Sequence, residues 1–143
     1  MDTPIAGSDT SFITALQEAG LPTDDLTEPG RSFFAYDTVT GERVGYGGFE
    51  CMGRDVLVRS LVVLPHVRQR GLGVGMLALL LRRAFDKGGR EAWLLTSTAS
   101  PFFERAGFKQ VERSSAPPAI LATRQAVSLC PASAALFRRR MTR

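Results

Sequence analysis

Apolar and polar positions along this chain follow two periods. Around residues 10–19, Phe12, Ile13 and Leu16 fall on one face at helical spacing, with Ser8 or Asp9 placed to cap and Gly20 to stop. Residues 21–30 carry two prolines, two aspartates and a glycine, and read as a loop with one helical turn. Residues 32–37 are strand-like, Thr40-Gly41-Glu42 turns the chain back, and residues 43–51 form the second strand of a hairpin. Gly45, Gly47 and Gly48 in that strand predict a bulge or a close backbone approach. After the turn Met52-Gly53-Arg54, residues 56–64 are a nearly continuous apolar run stopped by Pro65, as expected of a central strand covered on both faces.

The second half alternates helix and strand. A helix is predicted over 74–87, with Leu77, Leu80, Leu81 and Ala84 inward and Gly88-Gly89 ending it. A buried strand at 92–96, a short helix at 99–106 closed by Gly107, and a strand at 108–113 follow. Pro117-Pro118 starts a helical segment over 119–126, and a last short strand is predicted near 127–129. One helix, three meandering strands and then strand–helix–strand–helix–strand argue a single α/β domain over 1–143 with a mixed sheet.

Composition narrows the class. The chain has 143 residues, 44% hydrophobic and 22% charged, which fits an ordinary globular domain and excludes coiled coil and wholesale disorder. No apolar run reaches the ~18 residues of a membrane span. Met1-Asp2-Thr3-Pro4 lacks the pattern of a secretory leader, so a cytoplasmic, reduced setting is expected. Cys51 and Cys130 form neither a metal spacing nor a disulfide framework, and His66 is the single histidine, so no metal is expected. The net charge of +4 vanishes when Arg138, Arg139, Arg140 and Arg143 are set aside. The body is neutral, and residues 137–143 are expected to be a solvated, frayed basic tail rather than a nucleic-acid contact.

The sharpest chemical signal follows Pro65. Arg68, Gln69, Arg70, Gly71, Leu72, Gly73 and Val74 lead from a buried strand into a long helix. A helix N-terminus offers unpaired N–H groups and partial positive charge to an anion. Glycines at 71 and 73 let the backbone curl around it, and Arg68 and Arg70 add charge-assisted donors. No Gly-Lys-Ser/Thr follows, and Gly71, Gly73 and Gly75 are not spaced as a dinucleotide fingerprint.

Residues Leu61 to Gly73 (LVVLPHVRQRGLG) resemble the acetyl-CoA signature of the GNAT superfamily of N-acetyltransferases, and Phe102-Phe103-Glu104-Arg105-Ala106-Gly107-Phe108 resembles its helix-then-Gly-Phe motif. The resemblance implies the GNAT fold, a central mixed sheet flanked by helices. It implies that Leu61, Val62 and Val63 meet the pantetheine arm of acetyl-CoA, that the loop residues meet the pyrophosphate, and that Thr96, Phe102 and Phe103 line the same site. Residues 95–99, 117–123 and 129–134 resemble the GNAT subgroup associated with arsenic-resistance operons. That subgroup implies an amino-acid-like acceptor amine, an organoarsenical or its phosphinate analogue. Two positions depart from the family pattern. Phe103 stands where many members have a tyrosine as acid for the departing thiolate, and Thr96 where many have asparagine. Ser97, Thr98 or water is then the expected proton donor.

Glu50, after Gly47-Gly48-Phe49, is the candidate general base for the acceptor ammonium; the alternative is an exposed strand-end carboxylate. Arg59 interrupts the apolar run and either binds an acidic substrate or marks a solvated strand start, the reading favoured here. Cys130 reads as a small core residue rather than a nucleophile, His66 as exposed, and Trp93 as core. The expected function is acetyl transfer from acetyl-CoA to a small-molecule amine by a monomer or homodimer without nucleic-acid or membrane partners. The alternative is a GNAT-shaped module that senses acyl-CoA.

Overall fold

A computed structural model of the chain describes residues 1–142. Seven strands form one sheet: β1 (Asp2–Ile5), β2 (Arg31–Asp37), β3 (Arg43–Met52), β4 (Asp55–Val63), β5 (Glu91–Thr96), β6 (Lys109–Val111) and β7 (Ala135–Arg140), in the order β1-β2-β3-β4-β5-β7-β6. All neighbours are antiparallel except β4 and β5. Four helices pack on it: α1 (Thr10–Glu18), α2 (Leu72–Asp86), α3 (Ser100–Arg105) and the single turn α4 (Pro118–Leu121). The mixed sheet flanked by helices is the architecture expected from the order of elements.

Local chemistry explains the well-placed elements. Asp9, one of the two expected caps, accepts from the Phe12 N–H at 3.0 Å and starts α1, whose Phe12, Ala15 and Leu16 are buried. These pack with Phe33, Tyr46 and Val62 on one face of the sheet. On the opposite face Leu77, Leu80 and Ala84 of α2 and Phe103 of α3 pack against Phe49, Val56, Val58 and Phe137. The helix α2 begins at Leu72, two residues earlier than its apolar spacing predicts, because Gly71 takes a left-handed conformation (φ 73°) that turns the chain into it.

Differences concentrate at the two ends of the chain. Strand β1 has no alternating pattern and contains Pro4, which an edge strand tolerates. The segment near 127–129 is not a strand; Gln125–Leu129 is a π-helical turn, and the expected helix over 119–126 is reduced to α4. The closing strand is β7, inserted between β5 and β6. The basic tail is therefore corrected. Leu136 and Phe137 are buried, Arg138 lies over the Trp93 ring at 5.8 Å with its Nε 3.2 Å from Glu91, and Arg139 donates to the Ala106 carbonyl at 3.0 Å. Two arginine stems thus cover apolar and backbone surface while their charges find partners. Arg143 lies outside the described residues. No helix among the described residues is long and apolar enough to cross a membrane.

Phe137 is fully buried in the larger core cluster. Phe137→Ala should lower the unfolding free energy by about 3–5 kcal/mol in denaturant titration, whereas a solvated tail would give a change within about 0.5 kcal/mol.

Candidate active site

The one parallel pair in the sheet is short. β4 and β5 are in register only at Asp55–Glu91, Val56–Ala92 and Leu57–Trp93, and beyond those residues they part. On its other side β4 carries a bulge: Gly48 faces Arg59 and Tyr46 faces Val62, so Ser60 and Leu61 together oppose Gly47. Ser60 sits at φ 57°, a conformation costly for a residue with a side chain and held by its surroundings. A cavity of about 300 Å³ fills the opening between the strands. A larger depression of about 700 Å³ runs beside α2, but it takes no residue from β4 or β5.

The lining divides by contact into two parts, its two ends: Arg68 on the Val63 carbonyl and Gly73 against Phe102 at the entry to α2, and Gln125 against Cys130, close to Arg59, at the other. Among the residues singled out in the sequence, Leu61, Val62, Val63, Arg68, Gly73, Thr96, Thr98, Phe102 and Phe103 line it. Gln69, Arg70, Gly71, Leu72 and Val74 do not, and belong to the loop and first turn of α2 beside the first end. Ser97 and Glu50 also lie outside the lining.

The loop is built as a helix entrance. A 3-10 turn over Pro65–Val67 follows β4, then Gln69 (φ 74°) and Gly71 (φ 73°) both turn left-handed. No side chain caps α2, so its first-turn N–H groups are left for an outside acceptor. Arg68 folds back to donate to the Val63 carbonyl at 3.1 Å, and Arg70 reaches Glu42 at 3.2 Å. Gly73 lies against Phe102: a Cβ there would sit 3.0 Å from the ring, which couples the first turn of α2 closely to α3. Thr96 Oγ1 accepts from the Ala99 N–H at 3.1 Å and shapes the start of α3. Phe103 is buried, with edge contacts to Phe102 and Phe108.

At the second end the charges differ from expectation. Arg59 is neither a solvated strand start nor a free anion binder. Its side chain is wholly buried, with Nη1 2.6 Å and Nη2 2.6 Å from the two Asp25 oxygens and Nη1 3.0 Å from Glu50 Oε2. Arg31 adds a second cation to Asp25 at 2.8 Å and stands 3.7 Å from Glu50. Burial works to raise the Asp25 carboxyl, but the hydrogen bonds from Arg59 and Arg31 outweigh it and hold it down at about 2. Burial likewise opposes the Arg59 charge, and its carboxylate partners reverse that and raise its pKa. Glu50 is correspondingly a buried counter-ion of Arg59 rather than an exposed carboxylate.

Sequence reasoning missed Asp25, Arg31 and Gln125. A charge inside an apolar run demands a partner, but nothing local says that the partner is Asp25 rather than Asp24. Gln125 Oε1 lies 3.1 Å from the sulfur of Cys130, whose thiol burial pushes up. Ionic contacts tie this end together, since Arg124 pairs with Glu28 and Arg113 donates to the carbonyls of Ala126, Pro131 and Ala134. Among the described residues no group of three or more histidines, cysteines, aspartates or glutamates is gathered to hold a metal.

Residues 28–110 match the family model described as an acetyltransferase (GNAT) domain. The chain belongs to the GNAT family. No curated protein sequence matches it significantly. A putative acyl-CoA N-acyltransferase from Klebsiella pneumoniae is similar in structure, with a TM-score of 0.75 at 20% identity over 99% of this chain and 97% of that one. An N-acetylglutamate synthase from Neisseria gonorrhoeae, complexed with coenzyme A and N-acetyl-glutamate, gives 0.76 at 16% identity over 100% of this chain but 36% of that one. An aminoglycoside 6'-N-acetyltransferase complexed with coenzyme A gives 0.69 at 15% identity over 100% and 98%. Identities this low establish the shared GNAT fold. The opening between β4 and β5 and the glycine-turned entry to α2 are thus features of a GNAT domain in this chain.

The depressed Asp25 carboxyl makes stability pH-dependent with a definite sign. Its contribution is in place above the ordinary value of 3.8 and is lost as pH falls toward 2, amounting to about 2 kcal/mol. Asp25→Asn should cost about 3–5 kcal/mol at pH 7, because Arg59 loses its two-oxygen partner. In urea titrations the gap between wild type and variant should narrow from pH 4 to pH 2; a gap constant across that range would show that Asp25 is not titrating there.

Proposed function

We propose that this GNAT protein transfers an acetyl group from acetyl-CoA to a primary amine of a small molecule. The observation that carries the reading is the cavity between β4 and β5, which joins the helix-entry loop at one end to the Arg59–Gln125–Cys130 surface at the other. In this reading the first-turn N–H groups of α2, from Leu72 onward, take the pyrophosphate. Leu61, Val62 and Val63 offer backbone groups to the pantetheine arm, and Phe102 and Phe103 wall its other side. The amine enters beside Arg59 and attacks the thioester carbonyl carbon; the C–N bond forms, the C–S bond breaks, and the proton the amine gives up balances the departing thiolate. A β4 N–H near Leu61 or Val62, beside the bulge, stabilises the oxyanion.

Proton handling follows from what surrounds the cavity. Phe103 has no hydroxyl, so the thiolate takes its proton from Thr98, which lines the cavity, or from water; Ser97 lies outside the lining and is the weaker candidate. No carboxylate is among the described residues lining the cavity, and Glu50 is occupied by Arg59. The amine therefore reacts in its already neutral fraction, with water taking the proton. For an amine of pKa near 9 that fraction is about 1% at pH 7.

The Arg59 charge is already matched by Asp25 and Glu50, so an amino-acid-like acceptor would be met at this end by hydrogen-bond donors rather than by a free cation. The resemblance to the arsenic-resistance subgroup supports an organoarsenical or a phosphinate analogue within that class. A second reading, an acyl-CoA sensor without turnover, is favoured by Phe103 alone. Free-thiol release over a panel of amines separates the two: release that depends on the amine and saturates supports transfer, and coenzyme A binding without release supports sensing.

Two further outcomes are expected. Gly71→Val puts a branched side chain at φ 73° in the helix-entry loop and should weaken coenzyme A binding tenfold or more, about 1.4 kcal/mol, in calorimetry; unchanged affinity in the folded variant would remove the loop from the site. The plot of kcat/KM against pH should rise to a plateau at the amine's own pKa and move with it across a series of amines. A rise fixed at one pH for amines of different pKa would mean that an enzyme group, Glu50 first among them, is the base.

A further inference from the structure

The acceptor end of the cavity is completed by residues from the connection between β6 and β7, beyond the matched span of residues 28–110. Gln125 opens the π-helical turn in that connection, an irregularity that recurs at functional sites. Its side chain lines the cavity, and the residue is 7% exposed. Two contacts set its orientation. The Cys130 thiol donates to Oε1 at 3.1 Å, and the Cys130 N–H donates to the Gln125 carbonyl at 3.0 Å. The amide oxygen is thus turned toward Cys130, and Nε2 has no hydrogen-bond partner among the described residues.

The neighbouring groups have the same polarity. Ser60 Oγ accepts from Arg59 Nε at 3.2 Å, which leaves its O–H to donate. Arg59 Nη2 gives one N–H to Asp25 Oδ1 and retains a second. The positive charge of Arg59 is already matched by Asp25 and Glu50, so charge alone does not select a ligand here. What remains is a set of short-range donors, of which the Ser60 hydroxyl and the Gln125 amide are neutral. The Gln125 amide N–H groups can therefore meet a ligand acceptor in the cavity without giving up a protein partner.

We propose that Gln125 is a specificity-determining residue, donating from Nε2 to an oxyanion, of carboxylate type, that the acceptor carries beside its amine. This rests on the reading of the Arg59–Gln125–Cys130 end as the acceptor site. The amide distinguishes such an acceptor from an analogue that lacks the oxyanion: the first gives the N–H an acceptor, and the second leaves it without one.

The experiment compares α-amino acids with the corresponding alkylamines that lack the carboxyl group, with kcat/KM corrected to the neutral amine and acetyl-CoA saturating. Wild type should favour the acid. Gln125→Glu, equal in size but acceptor-only and charged, should lower kcat/KM for the acid by about 10²-fold and for the alkylamine by no more than a few-fold, with KM for acetyl-CoA unchanged. Gln125→Met, which keeps the volume without the donor, should lower the acid alone by about tenfold and serves if the glutamate variant does not fold. Equal losses for acid and alkylamine, no preference in the wild type, or improved turnover of the acid in Gln125→Glu would each overturn the proposal. If wild type acetylates no amine, the transfer reading fails by itself. The residue is then read by calorimetry of the same acids with coenzyme A present, where tenfold weaker binding to Gln125→Met supports it and equal binding overturns it.

Discussion

The buried guanidinium of Arg59 is the constraint on which one end of the cavity depends. An unpaired charge at that depth would be prohibitive, so the strand that carries it can be central only if carboxylates come to meet it. Asp25 supplies two oxygens and Glu50 a third. Asp25 lies in the long connection between α1 and β2, so the same contact that neutralises the strand also nails that connection to the sheet. Leu21 and Pro22, which wall the cavity, are held in place by it. Such a network contributes little net stability against a well-packed apolar alternative, but breaking it is costly, and this gives the loop one position instead of several.

The second determinant is a failure of pairing. Three residue pairs join β4 to β5, and then the strands separate, with a bulge on the far side of β4 that turns Ser60 and Leu61 out of register. Backbone groups that a regular sheet would satisfy internally are thereby left for a ligand. The connections that flank this opening, residues 21–30 and 112–134, touch each other through contacts that include the Arg124–Glu28 pair.

Much of this architecture was legible in the sequence, for reasons specific to each element. The apolar run before Pro65 could only be a central strand, and the glycines and arginines after it could only serve a tight entry into a helix. The α1 cap at Asp9 and the hairpin around Gly41 are encoded within a few residues of themselves. The remainder depended on partners distant in sequence. β7 contains three consecutive arginines, and only the edge of β5 beside it and the faces of Trp93 and Ala106 explain why they form a strand. Glu50 has the right type and place for a base, yet the identity of its neighbour decides its role, and that neighbour lies nine residues away across a hairpin. Asp25 carried no local signal that set it apart from Asp24.

The insertion of β7 between β5 and β6 also dictates an order of assembly. β5 and β6 are close in sequence but never pair with each other; each waits for a strand that arrives only after the 23-residue connection has been threaded past the sheet. Until then the edge of β5, carrying Trp93 and Leu94, is an unpaired apolar template open to any other strand, including one from another copy of the chain. Closure of that gap is a non-local event whose loop entropy must be met before its contacts form. Once docked, β7 removes that edge, and Arg138 lies over the Trp93 ring beside it.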